Sequence, residues 1–305
     1  MDLPLKAATS MMRWGSRHRK FGCQDCYTAA FVRPSEGAIS IATRREFDDG
    51  PAFFLPFEGI LAPAELAGKD VLDLGCGHGG RTAYYALQGR PRSIVGVEIS
   101  SERTGVGKVS AKKIAPNAPI SFAVGFGENL PFARDSFDLI ISYDVFEHVQ
   151  DLPEVLSECR RVLRPGGRLY ALFPPYFGPR THHLDFVTTL PFIHYVFSPG
   201  VLVRAANQIL KEQPGLRDAP LPEPRVSYLG RKVLPRLNGT TEKDFRRIAA
   251  GIGFISADIT LLPFAWGPGG RLKRVVRGFC RLMLALPWPF TRDIFAGTIR
   301  SVFQK

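Results

Sequence analysis

No stretch of the 305-residue sequence approaches the roughly 20 consecutive apolar residues that a bilayer-crossing helix requires. The longest apolar run, residues 282–290, is short and broken by Pro287 and Pro289, so an integral membrane protein is not expected. The first 20 residues carry Arg13, Arg17, Arg19 and Lys20 but lack the apolar segment of a secretory signal. Asp2 and the want of an amphipathic period speak against a transit peptide. The expected location is the cytoplasm, with peripheral membrane contact left open. Cysteine is scarce as well. Five residues (Cys23, Cys26, Cys76, Cys159 and Cys280), odd in number and unevenly spaced, exclude a disulfide framework and favour a reducing compartment. Cys23 and Cys26 form a single CxxC, half of a tetrahedral zinc site. His18 could add a third ligand, but no second pair follows, so structural zinc is not assigned. Internal repeats and low-complexity tracts are absent.

Acidic residues are the remaining shortage. Against 40 Lys and Arg there are 28 Asp and Glu, a formal charge of +12. Such an excess suits nucleic acid, an acidic membrane surface or a phosphorylated substrate, and it also occurs in enzymes with no such partner. Hydrophobic content of 45% with 22% charged residues is that of a chain with a packed core.

What is present is a regular middle. Residues 1–65 are interrupted by Pro34, Gly37, Gly50, Pro51 and Pro56, and form an N-terminal segment expected to cover the site. From residue 70 to 173 short apolar runs (71–74, 93–97, 120–124, 139–142 and 167–173) alternate with helical stretches at 81–88, 102–114 and 152–163. This is the pattern of strand–helix units on a mainly parallel sheet, with the central core placed at 66–175. Residues 176–240 are rich in proline and aromatics and read as an inserted cap for substrate. Thr241 with Asp244 three residues on marks a helix start. A strand near 257–262, a basic helical stretch and a closing strand at 294–303 complete the chain over 241–305.

The chemistry concentrates after the first strand. Asp73-Leu74-Gly75-Cys76-Gly77-His78-Gly79-Gly80 contains GxGxxG at Gly75, Gly77 and Gly80, which alone would suit a dinucleotide. Asp73 decides against that, because a carboxylate at this turn is unfavourable beside a pyrophosphate. S-adenosylmethionine (SAM) has no phosphate and carries an ammonium group that Asp73 can attract, while the glycines let the backbone approach. Glu98, closing the second strand, has two oxygens for a pair of ribose hydroxyls.

The chain resembles the class I SAM-dependent methyltransferases, in particular the small-molecule branch that includes ubiquinone and menaquinone biosynthetic enzymes. The resemblance rests on an ordered series: Val71-Leu72-Asp73-Leu74-Gly75-Cys76-Gly77, Glu98, Glu128-Asn129-Leu130-Pro131-Phe132, Asp135-Ser136-Phe137-Asp138, Asp144-Val145-Phe146-Glu147-His148-Val149 and Leu163-Arg164-Pro165-Gly166-Gly167. It implies an α/β fold of Rossmann-like type, a seven-stranded mainly parallel sheet with helices on both faces and the last strand antiparallel. It further implies SAM as cofactor, lying across the strand ends on Asp73, Gly75, Cys76, Gly77, Glu98, Gly127, Glu128, Asn129 and Asp144. The family's acid that meets the adenine amino group is replaced here by Phe126, which could pack on the adenine face. Glu128, the nearest acid, could take the polar contact.

Asp144, Glu147 and His148 would share one helix face if that segment is helical, and some related O-methyltransferases use such a set for a divalent metal. Three residues at one turn do not by themselves make a site, and no metal is assigned. The catalytic candidates are His182 and His183, just beyond the fifth strand, and His148 beside Glu147, because histidine suits proton removal from an oxygen nucleophile. Hydrogen bonding within the cap is the alternative for His182 and His183.

Residues 271–286 read as a basic amphipathic helix, followed by Trp288 and Phe290, suited either to an anionic membrane or to packing on the core. The expected function is methyl transfer from SAM to a small-molecule or lipid-like acceptor at oxygen. RNA methylation is the alternative suggested by charge, but no Asn/Asp-Pro-Pro-Tyr motif follows strand four and no RNA-binding module is appended. A non-catalytic SAM-binding scaffold is the third reading. Nothing in the sequence bears on oligomeric state.

Overall fold

The computed structural model of the chain describes residues 3–16, 40–213, 220–265, 269–286 and 292–305. His18, Cys23, Cys26, Trp288 and Phe290 lie outside these. In chain order the elements are helix α1 (Leu3–Ser16), α2 (Ile41–Asp48), α3 (Gly50–Phe54), strand β1 (Asp70–Leu74), α4 (Gly80–Gly89), β2 (Ser93–Glu98), α5 (Ser101–Ile114), β3 (Ile120–Val124), β4 (Phe137–Tyr143), α6 (Leu152–Val162) and β5 (Leu163–Phe173). There follow α7 (Ile193–Val196), α8 (Pro199–Glu212), a short hairpin of β6 (Arg225–Val226) and β7 (Lys232–Val233), α9 (Glu242–Ile252), β8 (Ser256–Pro263), α10 (Arg271–Ala285), α11 (Arg292–Phe295) and β9 (Ala296–Gln304).

Seven strands form one sheet in the order β3-β2-β1-β4-β5-β9-β8. The first five pair in parallel, and β9 runs antiparallel to both β5 and β8. The strand order reverses between β1 and β4, and in open α/β sheets ligands bind in the crevice at such a switch point. Both faces are covered, as parallel pairing demands. Successive residues point to opposite faces, so Val71, Leu139, Ile141, Tyr170 and Leu172 meet Phe53, Phe57 and Tyr85 on one side. Leu72, Leu74, Ile140, Leu169 and Ala171 meet Val155 and Cys159 of α6 and Phe245 of α9 on the other.

Helix starts follow the expected capping chemistry. Ser100 accepts from the Arg103 amide and Asp151 from the Glu154 amide. Thr241 and Asp244 form a reciprocal capping box.

Two boundaries differ from those expected. The fifth strand begins at Leu163, which already pairs with Phe137; residues 164–167 then bulge out, with Gly166 at φ 78°, before pairing resumes at Arg168. The bulge lets Arg164 reach both Asp70 (2.9 Å) and Asp138 (3.0 Å). The closing strand begins at Ala296 rather than 294. A hydrogen bond from the Phe264 amide to the Phe295 carbonyl (2.7 Å) pins the chain while α11 turns it back.

The proline-rich region has a core of its own. Leu184, Val187, Ile193, Leu202, Val203 and Ile209 are buried together, and Ala8 and Met12 of α1 complete this cluster by packing against α8. Meanwhile α2 lies against α4, directly over the glycine turn.

Phe245 is fully buried among Phe146, Phe173 and Phe303, with ring centroids 6.2, 4.8 and 5.7 Å away. Phe245→Ala is expected to lower the free energy of unfolding by about 3–5 kcal/mol, the usual cost of emptying such a site. Urea titration followed by circular dichroism measures it.

Candidate active site

The turn out of β1 is built on backbone. Gly75 has φ 76°, and a side chain there would meet Val145 Cγ2 at 2.2 Å, so both conformation and space require glycine. The Gly75 and Cys76 amides donate to the Val97 carbonyl at 2.8 and 3.0 Å, tying the turn to β2. The Cys76 side chain points into the sheet toward Gly96, and burial pushes its thiol well up. The sequence placed Cys76 on the cofactor; only its backbone is available for that.

Carboxylates crowd this turn. Glu98 accepts from the Gly77 amide through one oxygen and from the Ser100 amide through the other, both at 3.2 Å, with Arg103 at 3.8 Å. Each oxygen keeps acceptor capacity for a ligand. Asp73 is buried and accepts from the Thr82 hydroxyl at 2.6 Å. Burial pushes its carboxyl up to about 6, against the pull of Thr82 and Arg81 and with the charges of Glu46 and Glu98 adding to it.

Glu46 of α2 was not foreseen. It accepts from the His78 and Gly80 amides at 3.0 Å each and pairs with His78 Nδ1 at 2.9 Å. Burial raises its carboxyl, but the His78 hydrogen bond and the Arg81 charge hold it below its ordinary value. An anion therefore already occupies the first turn of α4, where a dinucleotide would put its pyrophosphate. No sequence spacing links Glu46 to the glycine turn; only the docking of α2 does.

Arg81 is the second residue the sequence did not mark. Its guanidinium lies 4.9 Å over the Tyr143 ring, within the field of Glu46, Asp73 and Asp144. The crevice thus offers three acids, Glu46, Asp73 and Glu98, with Arg81 among them and Arg103 at the Glu98 end, a charge pattern that fits an amino-acid zwitterion with a further positive centre.

Beyond β3, Phe126 is half exposed (52%) and pairs with Asn129 across a tight turn that includes Gly127. Asn129 itself faces solvent. Glu128 commits one oxygen to backbone and has the other available. One of its oxygens accepts from the Gln150 and Asp151 amides at 2.8 and 3.3 Å, which turns it toward the start of α6.

Residues 144–149 form a turn, not a helix, so Asp144 and Glu147 do not stack one helical turn apart. Asp144 has φ 56°, a left-handed conformation uncommon for a residue with a side chain, while its amide donates to Leu172 in β5. The cleft walls push its carboxyl up to about 6, opposed by Arg81.

Glu147 is buried with neither carboxylate oxygen hydrogen-bonded, and burial followed by the Asp144 charge pushes it well up. His148 Nδ1 donates to the Arg236 carbonyl at 2.6 Å, which leaves the Nε2 lone pair directed at Glu147 Oε1 3.5 Å away. A proton on Glu147 or a bound cation would relieve the opposition between these two acceptors.

The third member comes from the cap. His183 sits with its ring centroid 4.9 Å from that of His148, and Glu147, His148 and His183 bring ligand atoms within 4.8 Å of one another. Burial, then His148 and His182, pushes His183 down to about 3, so its ring is neutral. One orphaned carboxylate and two imidazoles fit a divalent cation of the first transition row. The backbone carbonyl behind His148 is the outer partner such ligands use.

His182 does not share this position. Its Nδ1 accepts from the Leu184 amide and its Nε2 donates to the Leu190 carbonyl, both at 3.0 Å. With both nitrogens spent on backbone it has none for a reacting proton, and the catalytic role expected of it is withdrawn.

The 146–149 turn is fixed by Asn238, another residue without a sequence signal. Its side-chain amide donates to the Phe146 and Val149 carbonyls at 2.6 and 3.1 Å, and its own backbone amide donates to the Glu147 carbonyl at 2.9 Å. Asn238→Ala leaves those buried carbonyls unpaired and should cost about 1–3 kcal/mol of stability. Urea unfolding measures that cost.

Residues 72–171 match the family model described as a methyltransferase domain. The chain is 31% identical over 137 residues to the phthiotriol/phenolphthiotriol dimycocerosates methyltransferase of Mycobacterium leprae, covering 40% of this chain and 49% of that protein. It is 36% identical over 105 residues to the ubiquinone biosynthesis O-methyltransferase of Rhizobium rhizogenes, covering 34% and 41%. With the fatty-acid O-methyltransferase of Mycolicibacterium smegmatis it shares 32% identity over 111 residues, covering 36% and 39%. The chain thus spans less than half the length of each of these relatives. Among solved structures, Haemonchus contortus phosphoethanolamine N-methyltransferase 2 in complex with S-adenosyl-L-methionine aligns with a TM-score of 0.52 at 16% identity, over 96% of this chain and 60% of that one, which shows a shared fold. Strand order and the ordered motifs agree with the match of residues 72–171 to a methyltransferase domain.

Proposed function

We propose that this chain transfers the methyl group of SAM to an oxygen of a small-molecule or lipid-like acceptor. The observation that carries the reading is the Glu147, His148 and His183 cluster, contributed by the turn after β4 and by the cap, beside an acid-lined glycine turn. Bound SAM supplies a methyl on a cationic sulfur that departs as a neutral thioether. In this reading Asp73 meets the ammonium group, Arg81 the carboxylate and Glu98 the ribose hydroxyls. Phe126 packs on the adenine, with Gly127 and Asn129 lining that end.

The chain's main task is then to hold oxygen, methyl and sulfur in line. A ring nitrogen of His183, a weak base because burial holds it down to about 3, takes the acceptor's proton late, once the forming oxygen–methyl bond and the breaking sulfur–methyl bond have put positive charge on the oxygen. A divalent cation held by Glu147, His148 Nε2 and His183 would polarise that oxygen in place of proton removal by His183. Oxygen as acceptor is supported by the printed names of two relatives, both O-methyltransferases. A lipid-like acceptor is supported by the fatty-acid and phthiotriol enzymes among the relatives. The reading puts the enzyme in the cytoplasm.

Calorimetric titration with SAM tests the donor half. Asp73→Ala and Glu98→Ala should each weaken binding tenfold or more, about 1.4 kcal/mol; affinity equal to wild type would remove the assignment.

For the acceptor half, label from SAM should enter a lipid or small-metabolite extract and not RNA. Label in RNA alone overturns the acceptor, and no transfer to any extract with intact SAM binding favours a scaffold. Chelation that abolishes turnover in wild type, restored by added manganese, selects the metal over the free base. His183→Ala should lower kcat at least a hundredfold in either case.

A further inference from the structure

Helix α10 buries only one edge. Cys280 is buried and Val276, Met283 and Leu284 are half-buried, with Leu284 packed on the main core. Leu272 (78% exposed), Val275 (69%), Phe279 (55%), Leu282 (61%) and Leu286 face solvent. Their spacing of three, four, three and four residues makes one continuous apolar stripe along the helix. The stripe is therefore not what docks the helix on the protein. Phe279 touches Phe295 of α11 at a centroid distance of 5.8 Å, which fixes the helix without covering the stripe.

Charge is equally one-sided. Between Arg271 and Ala285 there are five cations and no carboxylate, and Arg271, Arg274 and Arg281 are exposed along one flank of the stripe. An apolar stripe flanked by arginines matches the boundary between acyl chains and anionic headgroups. A second copy of the chain fits less well, since a two-fold contact would bring the cationic flanks of two molecules of formal charge +12 together.

The helix also sits at the relevant edge. β8 runs parallel to β5, both being antiparallel to β9, so the excursion that holds α10 leaves the sheet at the carboxyl ends of the strands. Glu147 and the glycine turn lie at that same edge. Burial, with the charge of Asp293 at the foot of the excursion adding to it, raises the Tyr195 phenol of α7. Phe192, Tyr195 and Val196 of the cap are exposed there too.

We propose that the outward face of α10 docks the protein on an anionic lipid membrane, presenting the carboxyl edge of the sheet to lipid-borne acceptors. The link to acceptors rests on the function proposed above; the docking itself does not, and its test involves no methyl transfer.

The full chain is sedimented with vesicles of phosphatidylcholine alone and of phosphatidylcholine with phosphatidylglycerol at three to one. Wild type should bind the anionic vesicles at least tenfold more tightly than the neutral ones, with binding weakened by salt. Leu272→Ser/Val275→Ser/Leu282→Ser and Arg271→Gln/Arg274→Gln/Arg281→Gln should each lose tenfold or more. Unchanged SAM affinity and circular dichroism show that each variant is folded; should the serine variant fail to fold, the glutamine variant decides. Failure of wild type to bind anionic vesicles, equal binding to both compositions, or variants that bind as wild type overturns the proposal. So does a wild-type dimer that the serine substitutions dissociate while vesicle binding is absent.

Discussion

Negative charge gathered around a turn that has almost no side chains is the constraint on which the site depends. Glu46, Asp73 and Glu98 come from a helix and two strands far apart in sequence, and all converge on the turn between β1 and α4. Burying carboxylates is costly unless donors satisfy them. Here the donors are the amides of Gly77, His78 and Gly80 and the Thr82 hydroxyl. The glycines are needed as much for this packing as for ligand approach: a side chain on Gly80 would sit 2.0 Å from the Thr43 carbonyl of α2. Closing α2 onto the turn thus supplies Glu46 and forbids bulk at Gly80 in the same step. The surplus of acid over Arg81 and Arg103 makes the crevice hospitable to a cationic ligand and hostile to a phosphate.

The other half of the site depends on a different device. The segment after β4 has no regular structure to hold it, yet it carries Asp144 in a left-handed conformation and Glu147 with unpaired oxygens. Asn238 replaces the missing regular hydrogen bonds by binding the carbonyls on both sides of Glu147. Because Asn238 and His183 both belong to the region between β5 and α9, the cap orders the acidic turn and also contributes a functional group to it. Perturbing the cap should be felt at the chemistry without any residue of the cofactor crevice moving.

Burial differs between the two amphipathic helices at the ends of the chain. The apolar side of α1 is consumed by α8, where Ala8 and Met12 are fully buried. That of α10 is left open although its apolar spacing is plain in the sequence, whereas the first 20 residues show no clear amphipathic period. Periodicity specifies that a helix has an apolar face; it does not specify what covers it.

The sequence by itself determined the core architecture. Alternating apolar runs and a glycine-rich turn are local patterns, and five strands, their helices and the cap at Thr241 follow from them with boundaries shifted by a few residues. These were legible because each depends on neighbours in sequence: period-two burial, a capping side chain, a left-handed glycine. Glu46, Arg81, Asn238 and the pairing of His183 with His148 were not, nor was the commitment of both His182 nitrogens to backbone hydrogen bonds. Only the tertiary structure decided those, because each depends on which distant backbone or side-chain atom occupies the last few ångströms. Hydrogen bonds and buried charges are resolved at that distance, and no periodicity in the chain records it.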